Sequence, residues 1–139
     1  MIRKYGSAVW QGSLKEGTGE VSTESGALEA QPYGFNKRFA DEKGTNPEEL
    51  IGAAHASCFA MALSNILGDK GITADKIEAK STISLSMQGG PKIVAAHLDV
   101  TITAKGDREE ILKAAKEAEH NCPVSQVLGC KISMDADVA

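Results

Sequence analysis

Two of the three cysteines in this 139-residue chain stand where a thiol can be made reactive. Cys122 directly precedes Pro123 in the stretch Asn121-Cys122-Pro123-Val124-Ser125-Gln126-Val127-Leu128. Proline suits the first helical position, where a missing N–H removes no hydrogen bond, so Cys122 is the expected N-cap. A thiol there meets the positive end of the helix dipole, which favours the thiolate. Cys58 lies inside the alanine-rich apolar run 50–63. Burial alone raises a thiol's pKa and makes it inert. Cys58 is therefore either a packed core residue or a nucleophile with polar help. If the fold joins the two sulfurs they form a dithiol redox site; if it does not, both are core.

The polar help has few sources. At roughly 100° per residue, Glu48 projects about 80° from Cys58 on a helix, and Glu49 about 180° away. Glu49 stands three residues after Asn46, where it completes a capping box, so Glu48 is the functional candidate. A carboxylate beside a thiolate opposes ionisation, which makes Glu48 an anchor for a guanidinium rather than an activator. Arg38, in the preceding loop, is the cation available; its alternative is a solvated loop charge. His55, one turn before Cys58, reads either as base or cation to the sulfur or as a packed or interface histidine, and the second is preferred. Cys130, after Gly129, reads as packing. His97 and His120 are assigned no role.

The elements that must position these residues follow from pattern. Residues 8–14 and 19–23 read as strands of a meander, with a third beginning in 25–30 and a loop over 31–39. Asn46 caps a helix that starts at Pro47 and runs to about Leu67, with Gly68 as its C′ residue. That helix is small and apolar on nearly every side, so a partner subunit is expected to cover what one short chain cannot. Alternation over 77–88 and 93–104, around Gly89-Gly90-Pro91, predicts a long hairpin. Its expected inward residues run from Ile77 to Met87 and from Val94 to Ala104. Asp107 caps a helix over 108–119, Pro123 opens a short turn, and 131–137 close as a strand. The expected class is α+β, as a single domain over 1–139.

Bulk properties remove whole classes of function. The net charge is −4 with a pI near 5.4, and no basic patch offers a nucleic acid surface. The apolar run 50–63 is too short to cross a bilayer. No apolar segment follows the N-terminal basic residues as in a signal peptide, so a cytoplasmic location is expected. An odd cysteine count without a secretion signal speaks against a disulfide framework. Scattered histidines and the lack of a CxxC pair speak against a metal.

Four stretches resemble one family. They are 21–26, 31–36, 44–59 (Gly-Thr-Asn-Pro-Glu-Glu-Leu-Ile-Gly-Ala-Ala-His-Ala-Ser-Cys-Phe) and 122–128. Together they are similar to the OsmC branch of the OsmC/Ohr peroxidases, and the similarity covers nearly the whole chain. The resemblance implies antiparallel sheets wrapped around central helices in an intertwined homodimer, with active sites at the subunit interface. It implies Cys58 as the peroxidatic thiolate, Cys122 as the resolving cysteine, and Arg38 and Glu48 as the family's arginine and glutamate. Phe35, Phe39 and Phe59, with Met61, then suit the tail of an organic hydroperoxide. An external thiol, for example one of dihydrolipoyl type, is the implied reductant, and no cofactor is called for. The position of His55 is a tyrosine in the Ohr branch, which argues against a required catalytic histidine. A non-catalytic peroxide sensor acting through a partner is the alternative, and a ligand carrier of the same fold is a third.

Overall fold

The computed structural model describes residues 1–34 and 43–139. The chain separates into two compact units, Met1–Leu50 and Ile51–Ala139. The first contains an antiparallel sheet of β1 (Gly6–Gln11), β2 (Thr18–Thr23) and β3 (Gln31–Tyr33), in that order. The third strand is not where its expected start at 25–30 put it. Hydroxyls there take the backbone N–H groups that a ladder would need: Leu28 N–H donates to Thr23 Oγ1, and Ala30 N–H to Ser22 Oγ. The ladder resumes only at Gln31, inside the expected loop. Most of β1 is exposed, Val9 included, so this sheet has little core of its own. The expectations for Phe35, Arg38 and Phe39 fall outside the described residues.

The long helix α1 (Pro47–Asp69) begins as expected. Glu49 N–H donates to Asn46 Oδ1, and the Glu49 carboxylate accepts from Asn46 Nδ2 and from Thr45 Oγ1. Its end comes later than predicted. Gly68 lies inside the helix, and Gly71, at φ +74°, is the left-handed residue. Gly71 N–H bonds to Gly68 O and Ile72 N–H to Leu67 O, the two hydrogen bonds of a Schellman cap. At 23 residues α1 exceeds the apolar run, and it is long and apolar enough to cross a bilayer by length and composition. Its buried stripe of Gly52, His55, Phe59, Leu63 and Leu67 is that of a core helix.

In the second unit β4 (Ala74–Ser86) and β5 (Lys92–Ala104) form the expected antiparallel hairpin. The helices α2 (Arg108–Asn121) and α3 (Pro123–Val127) then return the chain to β6 (Lys131–Val138), which pairs with β5. That pair is parallel, beside the antiparallel β4–β5 pair, because a helical crossover delivers the strand in the same direction. Phe59, Leu63 and Leu67 of α1 share a core with Leu98, Val100 and Ile102 of β5 and with Ile111, Ala115 and Ala118 of α2. The inward alternation of β5 holds from Ala96 to Ile102 but not at Val94, which is exposed. Ser84 faces Ala95 and Leu85 faces Ile93, so Val94 is the extra residue of a bulge. Gly52 has a close neighbour in this unit. A Cβ there would stand 2.8 Å from the carbonyl oxygen of Ser81, so only glycine lets α1 approach β4 so closely.

Candidate active site

The junction of α2 and α3 is built on one residue. Cys122 has an extended backbone, and its N–H donates to Ala118 O, which closes α2. Its Sγ accepts from the N–H of Ser125 at 3.3 Å, which caps α3 with Pro123 in the first turn. The sequence-predicted N-cap is therefore in place, with sulfur in the role usually taken by oxygen. Cys122 is fully buried, and half-buried Cys58 packs against the same core.

The fold brings the two sulfurs together. Cys58 and Cys122 are side-chain neighbours, both free thiols, though 64 positions apart in the chain. Burial pushes the Cys58 thiol up from its ordinary pKa. The backbone N–H of Val124 pulls it back down, and the adjacent Cys122 raises it again. Consecutive N–H groups at the start of α3 thus serve the two sulfurs, Val124 for Cys58 and Ser125 for Cys122. For Cys58 the raising influences prevail, so the neutral thiol is favoured.

His55 is fully buried and held at both ring nitrogens. Nδ1 lies 2.7 Å from Ser81 Oγ and Nε2 lies 2.9 Å from Ser125 Oγ. The Cys122 thiol donates to that same Ser125 Oγ at 3.3 Å. The packed-histidine expectation holds. Ser81 and Ser125 were assigned no role in the sequence. Ser81 carried a signal: it interrupts the inward apolar row Ile77, Ala79, Ile83, Leu85, and a hydroxyl in such a row needs a buried partner.

The remaining expected residues are distributed as follows. Glu48 lies in the first turn of α1, half-buried. Phe59 is fully covered within the core, so in this chain its ring is packing rather than an open wall for a substrate. Met61 is largely exposed on the opposite side of α1. Cys130 is a half-buried free thiol just before β6. His97, given no role, gathers with Asp99 and Asp135, the nearest ligand atoms within 4.8 Å of one another. The parallel register that sets Asp99 opposite Asp135 creates that group, and the sequence gives no hint of it. His97 Nε2 lies 3.4 Å from the first carboxylate and 3.2 Å from the second, an exposed ion-pair geometry.

Residues 40–137 match the model of the family described as OsmC-like protein. The chain is 49% identical to Peroxiredoxin OsmC of Escherichia coli (strain K12), over 96% of its own length and 95% of the relative's. It is 31% identical to organic hydroperoxide resistance protein OhrB of Bacillus subtilis (strain 168), over 78% of this chain and 79% of that one. The crystal structure of Bacillus subtilis OhrB superposes with a TM-score of 0.69 at 25% identity, covering 97% of this chain and 98% of the other. The fold, the family model and the relatives agree: the chain belongs to the OsmC/Ohr family.

Proposed function

We propose that this chain is a cysteine-based peroxidase that reduces organic hydroperoxides, and hydrogen peroxide more weakly. The observation that carries this is the meeting of Cys58 and Cys122 as neighbouring free thiols. Membership in a family with a named peroxiredoxin and a named organic hydroperoxide resistance protein supports it.

The chemistry follows from sulfur. The Cys58 thiolate attacks the distal oxygen of the peroxide, the O–O bond breaks, and the alkoxide leaves as alcohol after protonation. Cys58 is left as a sulfenic acid. Cys122 condenses with it, water departs, and a disulfide joins the two. An external dithiol then reduces the disulfide by exchange. Arg38, anchored by Glu48, supplies the cation that burial of Cys58 demands, and it polarises the peroxide. Phe35 and Phe39 offer apolar surface to the organic tail.

The active form in this proposal is a homodimer located in the cytoplasm, each chain one functional domain. Ala53, Ala54 and Met61 of α1 and Val9 of β1 are apolar and exposed, which supports burial by a second copy. Steady-state turnover of tert-butyl hydroperoxide with dihydrolipoamide tests the enzyme. Multiple turnovers are expected. Stoichiometric oxidation without turnover, with dithiol and monothiol reductants alike, would point instead to the sensor.

A further inference from the structure

His55 takes no part in the chemistry above, yet it is fully buried and hydrogen-bonded to Ser125, the partner of Cys122. An imidazole buried in an apolar stripe is unfavourable unless both nitrogens find partners. Both do, in Ser81 of β4 and Ser125 of α3. A pin between helix and sheet would need no more. The path continues, however, from Ser125 Oγ to Cys122 Sγ. Ser81, His55, Ser125 and Cys122 form one unbroken line of hydrogen bonds that ends on a sulfur.

We propose that His55, acting through Ser125, is the positioning residue that receives the Cys122 proton as the Cys58–Cys122 disulfide closes. This rests on the peroxidase assignment above. In the thiol form Cys122 S–H donates to Ser125 Oγ, Ser125 O–H donates to Nε2, and Nδ1–H donates to Ser81 Oγ. As Cys122 attacks, its proton passes to Ser125 Oγ while the serine's own proton passes to Nε2. A lone pair of Cys122 sulfur makes the S–S bond. The S–O bond of the Cys58 sulfenic acid breaks, and its electron pair leaves with hydroxide, which takes a proton from solvent to become water. The Cys122 sulfur is oxidised and the Cys58 sulfur reduced. When an external thiol reopens the disulfide, the same path returns the proton to Cys122.

Burial holds the His55 pKa below its ordinary value, so the ring is neutral and open to a proton near pH 7. The groups facing the ring are Ser81 from β4 and, from the α2–α3 junction, Ser125 and through it Cys122; on its own helix Cys58 lies one turn on.

The test compares wild type with Ser125→Ala, Ser125→Thr and His55→Gln. Each is oxidised by one equivalent of tert-butyl hydroperoxide, and the disulfide is timed from the sulfenic acid by acid quench and mass spectrometry between pH 6 and 9. That timing removes the peroxide step from the comparison. Ser125→Ala should close about a hundredfold more slowly at pH 7, the size of a general-base contribution. The deficit should shrink as pH rises, because hydroxide then takes the proton that the relay would carry, and Ser125→Thr should restore most of the rate. Closure by Ser125→Ala at the wild-type rate overturns the proposal. So does slowing by the same factor at every pH, which marks a packing role. If His55→Gln fails to fold, the Ser125 pair carries the test. A wild-type chain that forms no disulfide removes the peroxidase assignment itself, a distinct result.

Discussion

Replacing Gly52 with alanine should unseat α1 from β4, and the structure sets the size of the effect. The new Cβ would stand 2.8 Å from the carbonyl oxygen of Ser81, where ordinary contact begins at 3.4 Å. That oxygen belongs to a strand paired along its length with β5, so it cannot swing aside. The helix must move by about 0.6 Å, and overpacking of this kind costs about 1–3 kcal/mol. Alanine in a helix interior returns about 1 kcal/mol over glycine, which leaves a net loss of about 1 kcal/mol. Gly68, in the last turn of the same helix, is the control, since a Cβ there meets nothing within 4 Å. Gly68→Ala should therefore stabilise by up to about 1 kcal/mol. The two variants should differ by about 2 kcal/mol in urea unfolding at fixed protein concentration. Equal stabilisation by both would mean that the helix–strand contact is not as tight as its geometry. Because Ser81 also holds His55 Nδ1, Gly52→Ala should in addition slow disulfide closure.

Three further outcomes are expected. Cys58→Ser should abolish peroxide consumption, whereas Cys122→Ser should turn over once to the sulfenic acid and then use a second equivalent of peroxide to reach sulfinic acid, both read by peroxide assay and intact mass. Arg38→Ala should slow the peroxide step while leaving the far-ultraviolet circular dichroism unchanged; unaltered kinetics would make Arg38 a loop charge only. Stability should fall as pH drops below about 6.5, because the unfolded chain protonates His55 there while the folded chain, with its depressed pKa, does not. The fall should continue down to the folded pKa. His55→Gln should remove that part of the slope in urea midpoints measured against pH.

The helix starts were legible because caps are local. Asn46-Pro47, Asp107 and Cys122-Pro123 each satisfy orphan N–H groups with residues beside them in the chain, and each caps a helix as expected. The hairpin was legible from its period of two. What failed depended on tertiary partners. The sequence alone favours Gly68 as the stop, but packing of Leu67 and Ile72 carries the helix further and puts the left-handed turn at Gly71. The bulge at Val94 and the parallel pairing of β6 are set by neighbouring strands, not by local composition. The same holds at the site. Each cysteine was conspicuous by itself, but whether the sulfurs met was not readable from their spacing. The Ser81–His55–Ser125 line joins three elements and was invisible apart from one hydroxyl in an apolar row.

The pairing of Cys58 with Cys122 carries the functional assignment, and peptide mass spectrometry after a brief hydroperoxide pulse examines it most directly. The pulse should convert two free thiols per chain into one Cys58–Cys122 bridge that dihydrolipoamide reopens, with Cys130 left as a thiol. A bridge to Cys130, or oxidation without any bridge, would be incompatible with the assigned chemistry.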